Sequence, residues 1–325
     1  MAFRAHDPQP DLMDSSLASP PRREVLRRLK DLIDWQRPRT LCRVAYTEGG
    51  PGQPGKDPVV LIKLLLLERL YGLSDVQVVE EAADRLTFRA FLDLGASDTV
   101  PDDSTLVRFR DRLRQHQLLD LLFEDIEAQL TERGVAVKEG AIKIVDASLV
   151  RAAVRPPRKD RETGEREEPL DPEADFTVRK GKPFYGYKLH MAIDRETGLI
   201  TQHMVTPAST HDSQVFEELL DGKEGEVFAD KAYDSAEHRR LLRRHGSRCS
   251  IMRKAKRGAP LSPWWRGRNR TLGKVRAFIE GGFATLKRWR GCGRARHRGL
   301  EKFFEQMTWG ILAHNLTRAV ALVGG

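Results

Sequence analysis

The chain has 325 residues, 40% of them hydrophobic and 32% charged, with a net charge of +9 and an isoelectric point near 9.6. That balance suits a soluble protein of one large domain or two ordinary ones, and it favours nucleic acid over a small acidic ligand as partner. Cys42, Cys249 and Cys292 are too scattered for a metal-binding pair and fit a reducing cytosol, while the longest apolar run, "VVLIKLLLL", is interrupted by Lys63 and too short to span a bilayer.

Residues 1–21 are polar, carry no secretory signal and are expected to form a flexible tail. "RREVLRRLKDLIDW" follows as an amphipathic helix with Val25, Leu26, Leu29, Leu32 and Ile33 on one side. After the Gly/Pro loop "EGGPGQPGKDP", Asp57 and Pro58 supply a cap and a first-turn proline for a strong helix ending near Gly72. "LSDVQVVEEAADRL", capped by Ser74, is the next. Two helices joined through Gly72 fit a helix-turn-helix and a plain helical hairpin equally. Ser104 is expected to open "STLVRFRDRLRQ", whose Arg108, Arg110, Arg112 and Arg114 cannot share one face at about 100° per residue. Arg108 is a candidate DNA contact, with a solvated helix face as the plain alternative. "LLDLLFEDIEAQLTERG" closes a helical domain over residues 22–135.

The periodicity then changes. "AIKIVDASLV", "FYGYKLHMAID" and "LITQHMVTP" read as strands, the last two joined by "RETG". "EVFAD" is a short buried strand, "SAEHRRLLRRHG" a helix and "CSIM" a further strand. "KVRAFIEGGFATLKRWR" and "EKFFEQMTWGILAHNLTRAVALV" are terminal helices. Between the first two strands, residues 155–182 are dominated by charge, Pro and Gly and are expected to form a mobile loop. Residues 136–325 thus read as a second, mixed α/β domain.

Charge is unevenly spread. From Arg239 to Arg298 there are twenty Lys or Arg and one acid, Glu280, so this segment carries +19 and the rest of the chain −10. A basic patch of this kind faces a polyanion. Asp146 and Asp230 each leave a hydrophobic strand and are placed to share a divalent cation, since hard cations prefer carboxylate oxygens. On the helix of Glu280, Arg276 and Lys287 fall within about 40° of it. That stripe presents a carboxylate for metal and cations for phosphates. An ordinary ion pair between Arg276 and Glu280, worth about 0.3–0.5 kcal/mol, is the plain alternative. Gly281 and Gly282 weaken this helix by roughly 1 kcal/mol each unless they admit another backbone.

In order and local motif the chain resembles the DDE transposases of bacterial insertion sequences, in the large family numbered five. The matching pieces are "DPVVLIKLLLLERLYGLSDVQVVEEAADRLTFRAFLDL", "PDDSTLVRFRDRL", "DAS", "YGYKLHMAID", "THDS", "ADKAYDS" and "VRAFIEGGFATLKRWR". They span most of residues 57–290, and the terminal helix extends the likeness to about Arg318. The last piece matches the family's Tyr-x2-Arg-x3-Glu-x6-Lys signature at Arg276, Glu280 and Lys287, with Gly273 at the tyrosine position. The resemblance implies a ribonuclease-H-like catalytic core, a mixed sheet flanked by helices. It implies Asp146, Asp230 and Glu280 as catalytic metal ligands, and an N-terminal helical domain that helps bind the element's inverted-repeat ends. With 49 residues between Asp230 and Glu280, no large inserted domain is expected there.

Lys231, Lys254, Lys256, Arg257, Arg268 and Arg270 are candidate phosphate contacts. Trp264 and Trp265 are candidates for base stacking, although core packing of at least one is the default. Asp212 is expected to cap a helix, His211 is left open, and Tyr185, Tyr187 and Lys188 open the second strand with packing roles for the tyrosines. His190, His203, His238, His245, His297 and His314 show no metal-ligand spacing and are read as structural.

The expected function is a transposase using two Mg²⁺ or Mn²⁺ ions to cleave phosphodiesters at the element ends and join the 3′ ends to target DNA. Double-stranded DNA is the partner, bound by a homodimer, with no membrane. The expected location is the bacterial cytoplasm, on the nucleoid. The alternatives are a non-catalytic DNA-binding relic of a transposase, and a nuclease of the same fold without strand transfer.

Overall fold

The computed structural model describes residues 21–46, 55–135, 137–159 and 164–323. The expected tail thus lies outside the described residues up to residue 20, as does most of the Gly/Pro loop. The chain forms two compact units: residues 1–136 with 316–325, and residues 137–315.

The first unit is helical. Its elements are α1 (Pro21–Leu32), α2 (Gln36–Cys42), α3 (Pro58–Tyr71), α4 (Asp75–Asp84), α5 (Leu86–Leu92), α6 (Asp103–Gln115) and α7 (Leu118–Glu132). Helix α3 is its centre, with every residue from Pro58 to Arg69 buried. Asp57 caps it by accepting from the Val59 N–H at 2.9 Å, and Gly72 closes it in the left-handed region at φ 69°. Lys63 is tolerated inside because its ammonium pairs with Asp93 and lies 4.9 Å from the Trp35 ring. Ser74 and Gln77 form a reciprocal capping box at the start of α4. Helix α6 opens one residue before the expected Ser104. Asp102 is its cap, accepting from Thr105 N–H at 2.7 Å, because a carboxylate outcompetes the neighbouring hydroxyl for that donor.

The second unit is a mixed α/β structure. Its elements are β1 (Ile142–Arg151), β2 (Asp175–Arg179), β3 (Lys182–Asp194), β4 (Ile200–Pro207), β5 (Glu226–Ala229), α8 (Ala236–Arg244), β6 (Arg248–Ile251), α9 (Pro263–Arg276), α10 (Phe278–Trp289) and α11 (Leu300–Val323), the last helix passing into the first unit at Leu316. The main sheet runs β4-β3-β1-β5-β6. β3 is antiparallel to β1 and β4, whereas β5 and β6 run parallel to β1. This is the ribonuclease-H-like order. One face carries Val145, Ala192, Val227 and Ala229 under Leu241 and Leu242 of α8. The other carries Met191 and Ile193 under α10.

Two expectations are corrected here. The polar segment 155–182 is not wholly a loop, since β2 pairs antiparallel with the start of β3. Phe176 gives it an anchor, its ring 4.9 Å from that of Tyr185 with Arg166 4.4 Å above it. Residues 160–163 of this segment lie outside the described residues. The second correction concerns the terminal basic helix. "RKAKRGAPLSPWWRGRNR" becomes helical at Pro263, where Ser262 accepts from Trp265 N–H and proline takes the first turn. That helix ends at Arg276 and α10 restarts at Phe278, so Arg276 and Glu280 belong to two successive helices.

Candidate active site

The register of the parallel pair builds the centre of the site. Val145 of β1 stands opposite Ala229, the last residue of β5. Asp146 and Asp230 are the next residue on each strand, so two carboxylates leave adjoining strands at the same level. Asp146 does not close its strand as expected. β1 continues to Arg151 against β3, and only the pairing with β5 ends there. The carboxylate therefore rests on a strand that stays paired with β3 on one edge and is released from β5 on the other.

Asp146 is largely buried, with 18% of its side chain exposed. It accepts from the Ala147 N–H at 2.9 Å and from the Arg276 guanidinium. Burial raises its pKa to about 6 against the pull of Arg276 and Ala147, and the negative charges of Asp230 and Asp212 add to the rise. Asp230 accepts from Lys231 N–H at 2.6 Å and caps the short turn Lys231–Tyr233. Asp146 and Asp230 thus offer hard oxygen donors from adjoining strands, a donor set that fits Mg²⁺ or Mn²⁺.

Glu280 is more loosely attached. Its carboxylate is 3.8 Å from the Arg276 guanidinium and 67% exposed, so the ion pair contributes about 0.5 kcal/mol or less. Arg276 consequently links Asp146 and Glu280, held on the first and reaching towards the second. Among the described residues, no three His, Cys, Asp or Glu side chains are spaced to hold one ion. The structure brings Asp146 and Asp230 together and leaves Glu280 at the rim.

Lys287 reaches β1 two residues beyond Asp146, donating to Ser148 Oγ and to the Leu149 carbonyl, each at 2.7 Å. Burial and the nearby Arg179 guanidinium lower its pKa to about 8. Gly282 permits this close docking of α10. A Cβ there would lie 3.1 Å from Met191 Cε and from Ile193 Cδ1. Gly281, by contrast, faces open space.

The other candidates are spread over the surface. Lys231, Lys254, Lys256, Arg257 and Arg270 are exposed. Arg268 lies 5.8 Å from the Trp264 ring and Arg253 lies 4.7 Å from the Trp265 ring. Trp264 is 63% exposed and packs edge-on against a half-buried Trp265, so neither tryptophan enters the core as expected. They sit on the first turn of α9, on the side that its basic residues keep wet. Arg108 is exposed beside Ser104 and Thr105, whereas Arg110 is buried against Glu68 and Asp75.

His211, not Asp212, caps the turn at residues 212–215, because Asp212 is taken by Lys188 at 2.8 Å. Tyr185 and Tyr187 pack as expected and donate to the Asp171 carbonyl and carboxylate at 2.7 and 2.6 Å. His190, His203, His238 and His314 bond Thr206, Thr308 and the carbonyls of Tyr233 and Gly198.

Sequence reasoning missed Tyr233 and the electrostatic part played by Asp212. Tyr233 is fully buried and its hydroxyl has no partner among the described residues. Burial, and the charges of Asp212, Asp146 and Asp230, push its pKa well above the ordinary phenol value. Its signal was the "DKAYD" run, in which a tyrosine three residues after a site acid shares its turn.

Sheet order and strand-end acids place the second unit among ribonuclease-H-like proteins. The family model described as "Transposase DDE domain" matches residues 138–316, and the chain belongs to that family of transposases. A second model, described as "Transposase domain", matches residues 15–112. Among solved structures, the chain is similar to the piggyBac transposase of a synaptic complex with hairpin DNA, at 10% identity and a TM-score of 0.48 over 97% of this chain and 77% of that one. It is also similar to a chain of a pre-cleavage Mos1 transpososome, at 11% identity and a TM-score of 0.22 over 95% and 99%. Among the described residues no helix is long and apolar enough to cross a membrane.

Proposed function

We propose that this transposase cuts DNA at the ends of its element and joins the freed 3′ ends to target DNA, with Asp146, Asp230 and Glu280 as its catalytic acids. The observation that carries the reading is the Asp146–Asp230 pair, set level by the β1–β5 register inside a DDE domain. Divalent cations, Mg²⁺ or Mn²⁺, when bound by these acids would supply charge stabilisation for the attacking and leaving oxygens. Asp146 is the fixed ligand, held on a paired strand. Asp230 is oriented by its bond from Lys231 N–H. Glu280, exposed on the first turn of α10, has the freedom to complete the set.

Arg276 neutralises Asp146 and reaches Glu280. Its fork geometry suits a phosphate oxygen as well as a carboxylate, so it serves to hold the scissile phosphate against the acids. Lys287 stiffens β1 from below by its bonds to Ser148 and Leu149. The exposed cations Lys231, Lys254, Lys256, Arg257 and Arg270, with half-buried Arg268, hold the flanking backbone, Trp264 and Trp265 offer faces for an unstacked base, and Arg108 contributes from the helical unit. Because two element ends must be brought together, the working form is a homodimer on DNA, in the nucleoid of a bacterial cytoplasm.

A plasmid carrying the DNA that borders the coding sequence tests this. The wild-type protein is expected to release and reinsert the intervening segment with Mg²⁺. The Asp146→Ala variant is expected to bind the ends and cut nothing. Cleavage without joining would reduce the reading to a nuclease, and binding without cleavage by the wild type would reduce it to a relic.

A further inference from the structure

The segment 175–186 forms a feature that the site described above does not use. β2 and the first residues of β3 make a two-stranded ribbon on the edge of the sheet. Its turn is Lys180-Gly181, both in the left-handed region at φ 51° and 74°, the geometry of a tight two-residue hairpin. The root is firmly held. Tyr185 packs on Phe176 and donates to the Asp171 carbonyl, and Tyr187 donates to the buried Asp171 carboxylate. The tip is bare. Arg179, Lys180 and Lys182 are all exposed, and none of their side chains has an ion-pair or hydrogen-bond partner among the described residues.

Three unpaired cations on a rigid ribbon have a physical consequence. Like charges so close repel one another, and among the described residues no acid forms an ion pair with them. An exposed edge strand is also a hazard for self-association, which flanking charge suppresses. That explains one or two cations, but not a cationic finger whose root is tied down by three aromatic side chains. Val178, 73% exposed beside them, gives the tip an apolar contact as well. Two-stranded ribbons fit into DNA grooves, and cations at their tips meet the phosphates on either side. β3 runs on from the ribbon into its pairing with β1, where Gly186 stands opposite Arg151 and Met191 opposite Asp146. Arg179 acts electrostatically on Lys287, which itself bonds Ser148 two residues beyond Asp146.

We infer that the β2–β3 hairpin is a DNA-binding finger whose Arg179, Lys180 and Lys182 grip the backbone of the duplex that enters the catalytic site. The inference rests on the reading of the chain as a DNA-processing enzyme. It assigns to the hairpin sequence-independent affinity and positioning, not base recognition.

The test replaces Arg179→Gln, Lys180→Asn and Lys182→Gln together in the full chain. Asn-Gly is a favoured pair for this turn, so the hairpin is kept while the charge is removed. A second variant, Lys180→Asn alone, guards against loss of folding in the triple. Binding of a short duplex carrying the DNA next to the coding sequence, and of a scrambled duplex, is measured across a range of salt. Each lost phosphate contact is expected to make the slope of log affinity against log salt shallower by about 0.9, so the triple variant loses up to about 2.7 and the single variant about a third of that. Both duplexes should weaken alike. If the wild type binds with a steep salt slope and both variants keep it, the finger is refuted while the transposase reading stands. If the wild type binds neither duplex, both fail.

Discussion

Asp146 and Arg276 form an ion pair that ties the middle of β1 to the last residue of α9. The guanidinium also stands 3.8 Å from Glu280 at the start of α10. A cation is thus lodged among carboxylates that β1, β5 and α10 deliver, and Asp146 still has its pKa raised to about 6 by burial and its acidic neighbours.

The docking of α10 can be probed at its two adjacent glycines. Gly282→Leu would drive a side chain into Met191 and Ile193, whose atoms already lie 3.1 Å from the position of a Cβ. The expected loss is about 1–3 kcal/mol in denaturant unfolding. Gly281→Ala meets nothing within 4 Å and should gain up to about 1 kcal/mol from helix propensity. Equal effects at the two positions would show that α10 does not press on the sheet here.

The arginines of α6 should separate in the same way. Arg110 is buried between Glu68 and Asp75, and removing it as Arg110→Ala leaves buried Glu68 with Arg69 alone and Asp75 without its guanidinium, with an expected loss of up to about 3 kcal/mol. Arg108→Ala, on the exposed side, should change stability by no more than about 0.5 kcal/mol. Urea midpoints of the two variants measure this, and a stable Arg110→Ala protein would contradict the packing described.

His190 gives the protein an acid sensitivity of known sign. Burial lowers its pKa from 6.5 to about 4. The folded state therefore binds fewer protons than the unfolded chain between these values. Its stabilising contribution is complete above pH 6.5 and is lost as pH falls through about 4, by as much as about 3 kcal/mol. His190→Gln, which can keep a bond to Thr206, should flatten the loss of stability over that window. An unchanged pH profile would show that the imidazole is solvated.

Much of this was legible in the chain, and the reasons are local. The Asp57-Pro58 start and Gly72 end of α3 are chemical signals that act over a few residues, and they appear as read. The strand-end acids were legible because apolar runs such as "AIKIV" and "EVFA" stop at an Asp. What the sequence could not supply was registration between distant segments. Nothing local says that Val145 meets Ala229, that Arg276 reaches Asp146 rather than only its helical neighbour, or that Asp212 is drawn to Lys188. The hairpin at Lys180-Gly181 was hidden for another reason. Its charge resembles that of a loop, and its order depends on Phe176 finding Tyr185.

The central claim is that Asp146 and Asp230 act as one cation site. Mn²⁺ titration of the full-length protein, followed by the loss of the free-ion electron paramagnetic resonance signal, tests it without relying on DNA or turnover. Binding that is lost in Asp146→Asn and lost equally in Asp230→Asn is the expected result, with a weaker loss in Glu280→Gln. Mn²⁺ affinity undiminished in either aspartate variant would contradict the account.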